Sequence, residues 1–264
     1  MLKIVGIFLF LFCECLFADG RYVPILKDLT TLNKYYYFDK DFSNKAYWIS
    51  LVKKYSFRDK FLLCRGIKKK ETQEKVVALT FDDGPSIYTK KFLEILDKYQ
   101  VKATFFVVGQ EVVSHPKIME QIVKNGHQVA SHTVHHVNLF ASSEQQIRQE
   151  LMENQKIIGK YSVPKKYFRP PYGSCSDVSY QVAEELGLKA ILWSAMTNDF
   201  NTKQTAQEIA DKILKLVTPG GIIGMHDGGG NREKNAQALD IIIKKLLESG
   251  YRIITLDELL VGML

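Results

Sequence analysis

From Val76 onward, short apolar runs alternate with longer stretches in which apolar residues recur every three or four positions. The short runs are Val76–Phe81, Ala103–Val108, His127–Ala130, Tyr167–Arg169, Ala190–Trp193, Gly221–Met225 and Arg252–Thr255. Their lengths suit strands. Between them the spacing predicts helices. Tyr88–Tyr99 carries Phe92, Leu93, Ile95 and Leu96 on one face. Pro116–Asn125 is closed by Gly126, a natural helix stop. Ser143–Gly159, Val178–Leu186, Thr205–Leu216 and Ala236–Glu248 complete the set. Strand and helix in turn imply an α/β fold with a parallel sheet or barrel. Sites in such folds are built at the C-terminal ends of the strands, and the polar clusters of this chain follow directly after strands.

Before Val76 the pattern changes. Lys3 precedes the run Ile4–Phe12, broken only by Gly6, and Ala18 stands before Asp19. A positive start, a short apolar stretch and a small residue read as a signal peptide over residues 1–18. Leu16 fits a small-x-small cleavage site poorly, so an uncleaved membrane anchor stays open. The expected location is outside the cytoplasm: periplasmic, secreted or associated with the cell wall. Residues 19–74 show weak patterning around Tyr35-Tyr36-Tyr37-Phe38 and read as an N-terminal extension on a catalytic domain spanning 75–264.

Composition narrows this further. The 264 residues are 46% hydrophobic and 25% charged, which excludes a disordered chain. A net charge of +7 suits an anionic polymer or simply a Lys-rich surface. The densest basic run, Lys68-Lys69-Lys70, is followed by Glu71 and Glu74, which argues against nucleic acid. Cys64 and Cys175 are the cysteines outside the leader. An exported chain can bond them, but nothing in the sequence shows them to be close, so two separate thiols are expected.

The chemistry begins with Asp82-Asp83-Gly84-Pro85 at the end of the first strand. Adjacent carboxylates point in different directions, so one can hold a metal while the other handles protons. A plain acidic turn is the bland alternative. His132-Thr133-Val134-His135-His136 ends another strand, and three of the chain's six histidines fall within it. Two neutral imidazoles four apart can meet one ion from a helical turn or tight loop, and with one carboxylate they leave positions open for water and substrate. His135 is expected to be peripheral or exposed, and His115 and His127 structural. Arg169-Pro170-Pro171-Tyr172-Gly173 follows a third strand, where stiff backbone can present Arg169 to a carboxylate and the Tyr172 N–H to an oxyanion. Asp199 reads by itself as an isolated acid. His226-Asp227-Gly228-Gly229-Gly230 puts a histidine at the mouth of a strand.

In this order, TFDDGP, HTVHH, RPPYG, the segment around Asp199 and GMHDGGG resemble the polysaccharide deacetylases, carbohydrate esterase family four, also called the nodulation-protein-B homology domain. The resemblance spans Val76 to about Leu260. It implies a distorted (β/α) barrel of about seven strands. It implies one divalent ion, zinc in type with cobalt or manganese as alternatives, held by Asp83, His132 and His136. It implies Asp82 as general base, Arg169 orienting it, Tyr172 as backbone oxyanion donor, His226 as general acid and Asp199 tuning that acid. The implied activity is removal of N-acetyl groups from an amino-sugar polysaccharide, foremost peptidoglycan. A chitin-oligosaccharide or poly-N-acetylglucosamine enzyme, an amidohydrolase on a lipid-linked sugar and a non-catalytic carbohydrate-binding relative are the alternatives. The chain departs from the family at Phe200 and Gly224, positions that resemble the walls of the pocket for the acyl methyl, which is expected to be wider or differently shaped, and at Met196, which replaces an often acidic residue.

Overall fold

The computed structural model describes residues 64–196, 199 and 203–263. The leader, the extension before residue 64, and Phe200 lie outside these residues.

Strand β1 (Val76–Asp82) is buried over its whole length. Its side chains alternate between two cores, as a period of two requires. Val77, Leu79 and Phe81 join a cluster with Phe92, Phe105, Ile223 and Ile243 beneath the helices. Val76 and Ala78 join a second cluster with Phe106, Ala130, Tyr167, Ile191 and Ile222 in the barrel interior. Burial on both faces is why β1 reads as an unbroken apolar run.

The other strands are β2 (Thr104–Val107), β3 (Gln128–Ser131), β4 (Tyr167–Phe168), β5 (Lys189–Ala190), β6 (Ala195–Met196), β7 (Gly221–His226) and β8 (Arg252–Ile254). Their order is β5-β4-β3-β2-β1-β7-β6, with β8 on the first half of β1, and every pairing between them is parallel. β5 and β6 stand at opposite ends of this order, yet only Ile191–Ser194 separates them in the chain. The sheet therefore curls back on itself into a distorted (β/α) barrel. Of the predicted strand Ala190–Trp193, Ala190 alone lies in β5, and Ile191–Trp193 belong to the interruption between β5 and β6. The carbonyls of Ile191 and Leu192 accept hydrogen bonds from the Arg169 side chain and are withdrawn from a continuing ladder.

Helices α1 (Thr89–Lys98), α2 (Gly109–Ser114), α3 (Pro116–Lys124), α4 (Glu144–Ile158), α5 (Asp177–Glu185), α6 (Ala206–Leu216), α7 (Glu233–Glu248) and α8 (Leu256–Leu259) fill the connections. Their starts follow local chemistry. Pro116 opens α3, Ser143 accepts the Gln146 N–H at α4, and Thr205 with Glu208 forms a capping box at α6. Gly126 takes a positive φ of 75° after α3. The short α2 and α8 carry no readable period, and α7 begins at Glu233 rather than Ala236.

Residues from Cys64 onward run along the barrel edge. Ile67 donates to Ala190 O and accepts from Leu192 N–H, and Lys70 donates to Gly220 O. This places Cys64 beside Cys175, with Cα atoms 5.0 Å apart, and the two form a disulfide across a sequence separation of 111. The expected separate thiols are thereby corrected. Their proximity comes from the Ile67 pairing, which is tertiary and leaves no mark on local sequence.

Candidate active site

β3, β2, β1 and β7 end side by side in that order, and β1 pairs Asp82 with His226 on β7. Thr80, Asp82, Gly224 and His226 share the interior-facing parity of their strands. Arg169, just after β4, reaches beneath them and is fully buried. Its Nη1 donates to Asp82 Oδ1 at 2.6 Å and to Thr80 Oγ1 at 2.8 Å, and its Nη2 donates to Leu192 O at 3.0 Å. The guanidinium lies 4.1 Å from the Phe106 ring centre and 5.5 Å from that of Trp193. Burial lowers the guanidinium's pKa, and the Asp82 carboxylate opposes that shift. A buried, well-bonded pair of this kind aims a carboxylate more than it stabilises the fold.

Asp83, His132 and His136 converge, each offering one ligand atom within 4.8 Å of the others. Asp83 Oδ1 lies 3.3 Å from His132 Nε2 and 3.1 Å from His136 Nε2. His132 Nδ1 sits 2.8 Å from Arg169 O. A carbonyl can only accept, so the proton is on Nδ1 and Nε2 turns a lone pair toward the carboxylate. Asp83 Oδ1 is buried and has no hydrogen-bond partner among the described residues. Lone pairs facing a buried carboxylate oxygen leave a place only a cation satisfies, so the trio fits a divalent ion.

The HTVHH segment is a tight loop, not a helical turn. Thr133 and His136 take positive φ values of 65° and 54°. A β-branched residue there is strained and must be held. The holding residues are Glu150 and Asn154 on α4, which sequence reasoning missed. Glu150 Oε2 accepts the N–H groups of Val134 and His135 at 2.8 and 2.9 Å, and its Oε1 meets His135 Nδ1 at 2.7 Å. Asn154 donates to the carbonyls of Thr133 and Val107. Their signal was available as two polar residues one turn apart on a helix otherwise packed at Ile147, Leu151 and Ile158. His135 is exposed apart from that contact, and His115 meets Glu111, as expected of residues outside the centre. His127 is buried, accepts the Ala103 N–H, and is lowered by burial to about 4.

His226 Nδ1 pairs with Asp199 Oδ1 at 2.7 Å, and the His226 N–H donates to Asp199 Oδ2 at 2.9 Å. Asn235, at the start of α7, donates to Asp199 Oδ2 at 2.6 Å. Burial alone would lower the imidazole's pKa. The Asp199 carboxylate overrides it, with Asp83 and Asp82 adding, and the ring is raised to about 9. Asp199 is therefore no isolated acid.

The glycines after His226 are not a flexible turn. A Cβ on Gly228 would fall 2.0 Å from Asp83 O, and one on Gly229, at a φ of 69°, 2.7 Å from Asp83 Oδ2. Only glycine lets this backbone close on Asp83. Asp227, also missed, is fully buried, accepts from Thr89 Oγ1 at 2.5 Å and lies against Gly84; burial raises it to about 7. Tyr172 sits at a φ of 60° in the turn Pro171–Gly173, with its ring centre 4.6 Å from that of His136. A Cβ on Gly224 would meet Trp193 Cβ at 3.4 Å and Met196 Cγ at 3.6 Å, ordinary van der Waals contact.

The chain resembles proteins with related descriptions. A family profile described as polysaccharide deacetylase matches residues 69–191. A peptidoglycan-N-acetylglucosamine deacetylase of Bacillus cereus is 34% identical over 71% of this chain and 89% of its own length. A family 4 acetyl xylan esterase from Clostridium thermocellum, solved with a cobalt ion, superposes with a TM-score of 0.66 at 36% identity over 71% of this chain and 91% of that one. A CE4 family pseudoenzyme from Bacillus anthracis superposes with a TM-score of 0.69 at 29% identity, covering 75% and 70%. The trio and the cobalt-bound relative together support a divalent metal. Likeness over most of a relative's length, on the same curled barrel, settles the kinship: this chain belongs to the polysaccharide deacetylase family.

Proposed function

We propose that the protein is an exported, metal-dependent hydrolase that removes N-acetyl groups from an amino-sugar polysaccharide, foremost peptidoglycan. The observation carrying this reading is the convergence of three units on one strand-end surface: the Asp83–His132–His136 trio, the Asp82–Arg169 pair and the Asp199–His226 pair. The Bacillus cereus relative favours peptidoglycan among substrates. The leader-like residues 1–18 and the disulfide favour export, with the protein staying at the cell wall or anchored in the membrane. No helix of the described residues is long and apolar enough to cross a membrane.

Asp83, His132 and His136 would hold the ion, zinc in the first instance. When bound, it supplies Lewis acidity that polarises the amide carbonyl and acidifies a water. Asp82 takes the proton of the attacking water, with Arg169 clamping Oδ1 so that the other oxygen meets it. The Tyr172 N–H donates to the oxygen that becomes negative. His226, held protonated by Asp199, donates to the leaving amine. A pseudoenzyme among the structural neighbours makes a purely binding role the second reading. The intact acid and base pairs weigh against it.

The test is acetate release from purified peptidoglycan and from chitin oligosaccharides, with and without chelator. Chelation is expected to abolish release and zinc to restore it. Release indifferent to chelation ends the metal mechanism, and no release from any N-acetylated glycan ends the hydrolase reading.

A further inference from the structure

We propose that the Cys64–Cys175 disulfide positions the oxyanion donor: it fixes the turn that presents the Tyr172 N–H, and so acts on turnover rather than on the fold alone. This inference rests on the deacetylase reading above. The turn Pro171–Gly173 is strained backbone. Tyr172 and Gly173 both take a φ of 60°, a left-handed conformation that tyrosine seldom adopts. The bonds inside the turn are short-range: the Gly173 N–H donates to Pro170 O and the Ser174 N–H to Pro171 O. They close the turn on itself and do not fix its place relative to Asp82 or the trio. That place is fixed through Cys175, two residues past the turn. Its partner Cys64 is 111 positions away, and both cysteines are buried.

Cys64 opens a segment laid tightly on the interruption between β5 and β6. Ile67 donates to Ala190 O at 2.9 Å and accepts the Leu192 N–H at 2.8 Å. A Cβ on Gly66 would fall 2.8 Å from Ala190 O, so a side chain there would push the segment off. The same interruption holds the clamp of the base: the carbonyls of Ile191 and Leu192 accept from Arg169, which donates to Asp82. One short stretch of backbone thus anchors Arg169, and through it the general base. It also anchors Ile67, and through Cys64–Cys175 the oxyanion turn. Leu192 joins both cysteines in a buried cluster on which Trp193 packs, and a Cβ on Gly173 would lie 3.0 Å from Trp193 Cη2, so the turn bears on that cluster. The neighbouring tie, Arg65 to Asp177 at 3.3 Å, is exposed and holds weakly. An oxyanion donor works only when its N–H points where charge develops, and misplacement by about 1 Å is enough to lose that aim. The metal loop has its own support in Glu150 and Asn154, so it is not expected to follow the turn.

The experiment measures acetate release from N-acetylglucosamine oligomers by wild type, a Cys64→Ser, Cys175→Ser double variant and Leu246→Ala, each loaded with zinc and held well below its unfolding temperature. Leu246 is a core position on α7 outside the disulfide cluster, so its truncation lowers stability without touching the turn. The serine variant is expected to lose about tenfold or more in kcat, part of the roughly 10²–10³-fold that one oxyanion donor supplies, with KM and zinc affinity unchanged. Leu246→Ala is expected to keep the wild-type kcat. A Cys64→Ala, Cys175→Ala pair, which buries no hydroxyl, serves in its place should serines prevent folding. A second readout needs no turnover. Backbone hydrogen exchange in the metal-free chains is expected to quicken over residues 172–176 of the cysteine variant, while residues 132–136 keep their rate. A wild-type kcat in the cysteine variant, a loss that Leu246→Ala shares, or unchanged exchange over residues 172–176 overturns the inference and leaves the deacetylase reading in place. Absence of acetate release by wild type overturns that reading and this one with it.

Discussion

At the scale of residues, neighbouring groups of one chemical type are given different tasks by what touches them. Asp82 is bound to a buried arginine, while Asp83, one peptide away, faces two imidazoles. Asp82→Asn keeps the shape and the trio, so metal content should be retained while turnover falls by about 10²–10⁴-fold. Normal turnover in that variant would remove Asp82 from the mechanism. His226 sits at about 9, so it stays protonated through neutral pH and loses its proton as pH rises through that value. Activity is therefore expected to fall on an alkaline limb. A cation beside Asp83 offsets the share that Asp83 contributes, which draws the limb of the loaded enzyme lower. Asp199→Asn removes the chief raising partner and leaves burial to dominate, so the limb should move acidward by about 2 units or more. A limb that stays put in a pH–rate profile of this variant would assign it to another group. The same shift bears on stability. Because the folded pKa is raised, the stabilisation from this pair is complete below the unfolded value of about 6.5 and is lost as pH rises through about 9.

At the scale of elements, α4 acts as the clamp of the metal loop. Glu150 and Asn154 lie one turn apart and hold a loop whose Thr133 and His136 take left-handed backbone conformations. Glu150→Ala would leave two backbone N–H groups unpaired in a buried loop, at a cost of about 1–3 kcal/mol each. It should also weaken metal binding by about 10–100-fold, as loss of a ligand's support does. Titration of the apo protein with zinc or cobalt measures the second effect and thermal denaturation the first. Unchanged metal affinity would show that the loop holds itself. The strands and long helices were legible in the sequence because burial on one or both faces imposes a period. The break after Ala190 was not, since the apolar run Ala190–Trp193 continues while Arg169 takes its carbonyls.

At the scale of the whole molecule, the barrel curls shut beside the segment that carries Cys64. The disulfide closes a loop of 111 residues and limits the unfolded chain, for which about 2–4 kcal/mol of stabilisation is typical. A Cys64→Ser, Cys175→Ser double variant should denature at lower urea by that amount while still binding metal. An unchanged urea midpoint would mean the edge pairing alone holds the segment.

The sequence by itself determined the strand–helix alternation, the parallel α/β class and the residue types of the centre, because periodicity and short motifs are local properties of the chain. It also put Asp82, Asp83, His132, His136, Arg169, Asp199 and His226 on the page, one after another. Only tertiary structure decided what each meets. Arg169 finds Asp82 from 87 positions away, and His226 finds Asp199 from 27. Gly228 and Gly229 of HDGGG are explained by Asp83 lying against them, and the cysteines by an edge pairing. Contacts between residues distant in sequence depend on how the sheet curls, and no local pattern records that curl.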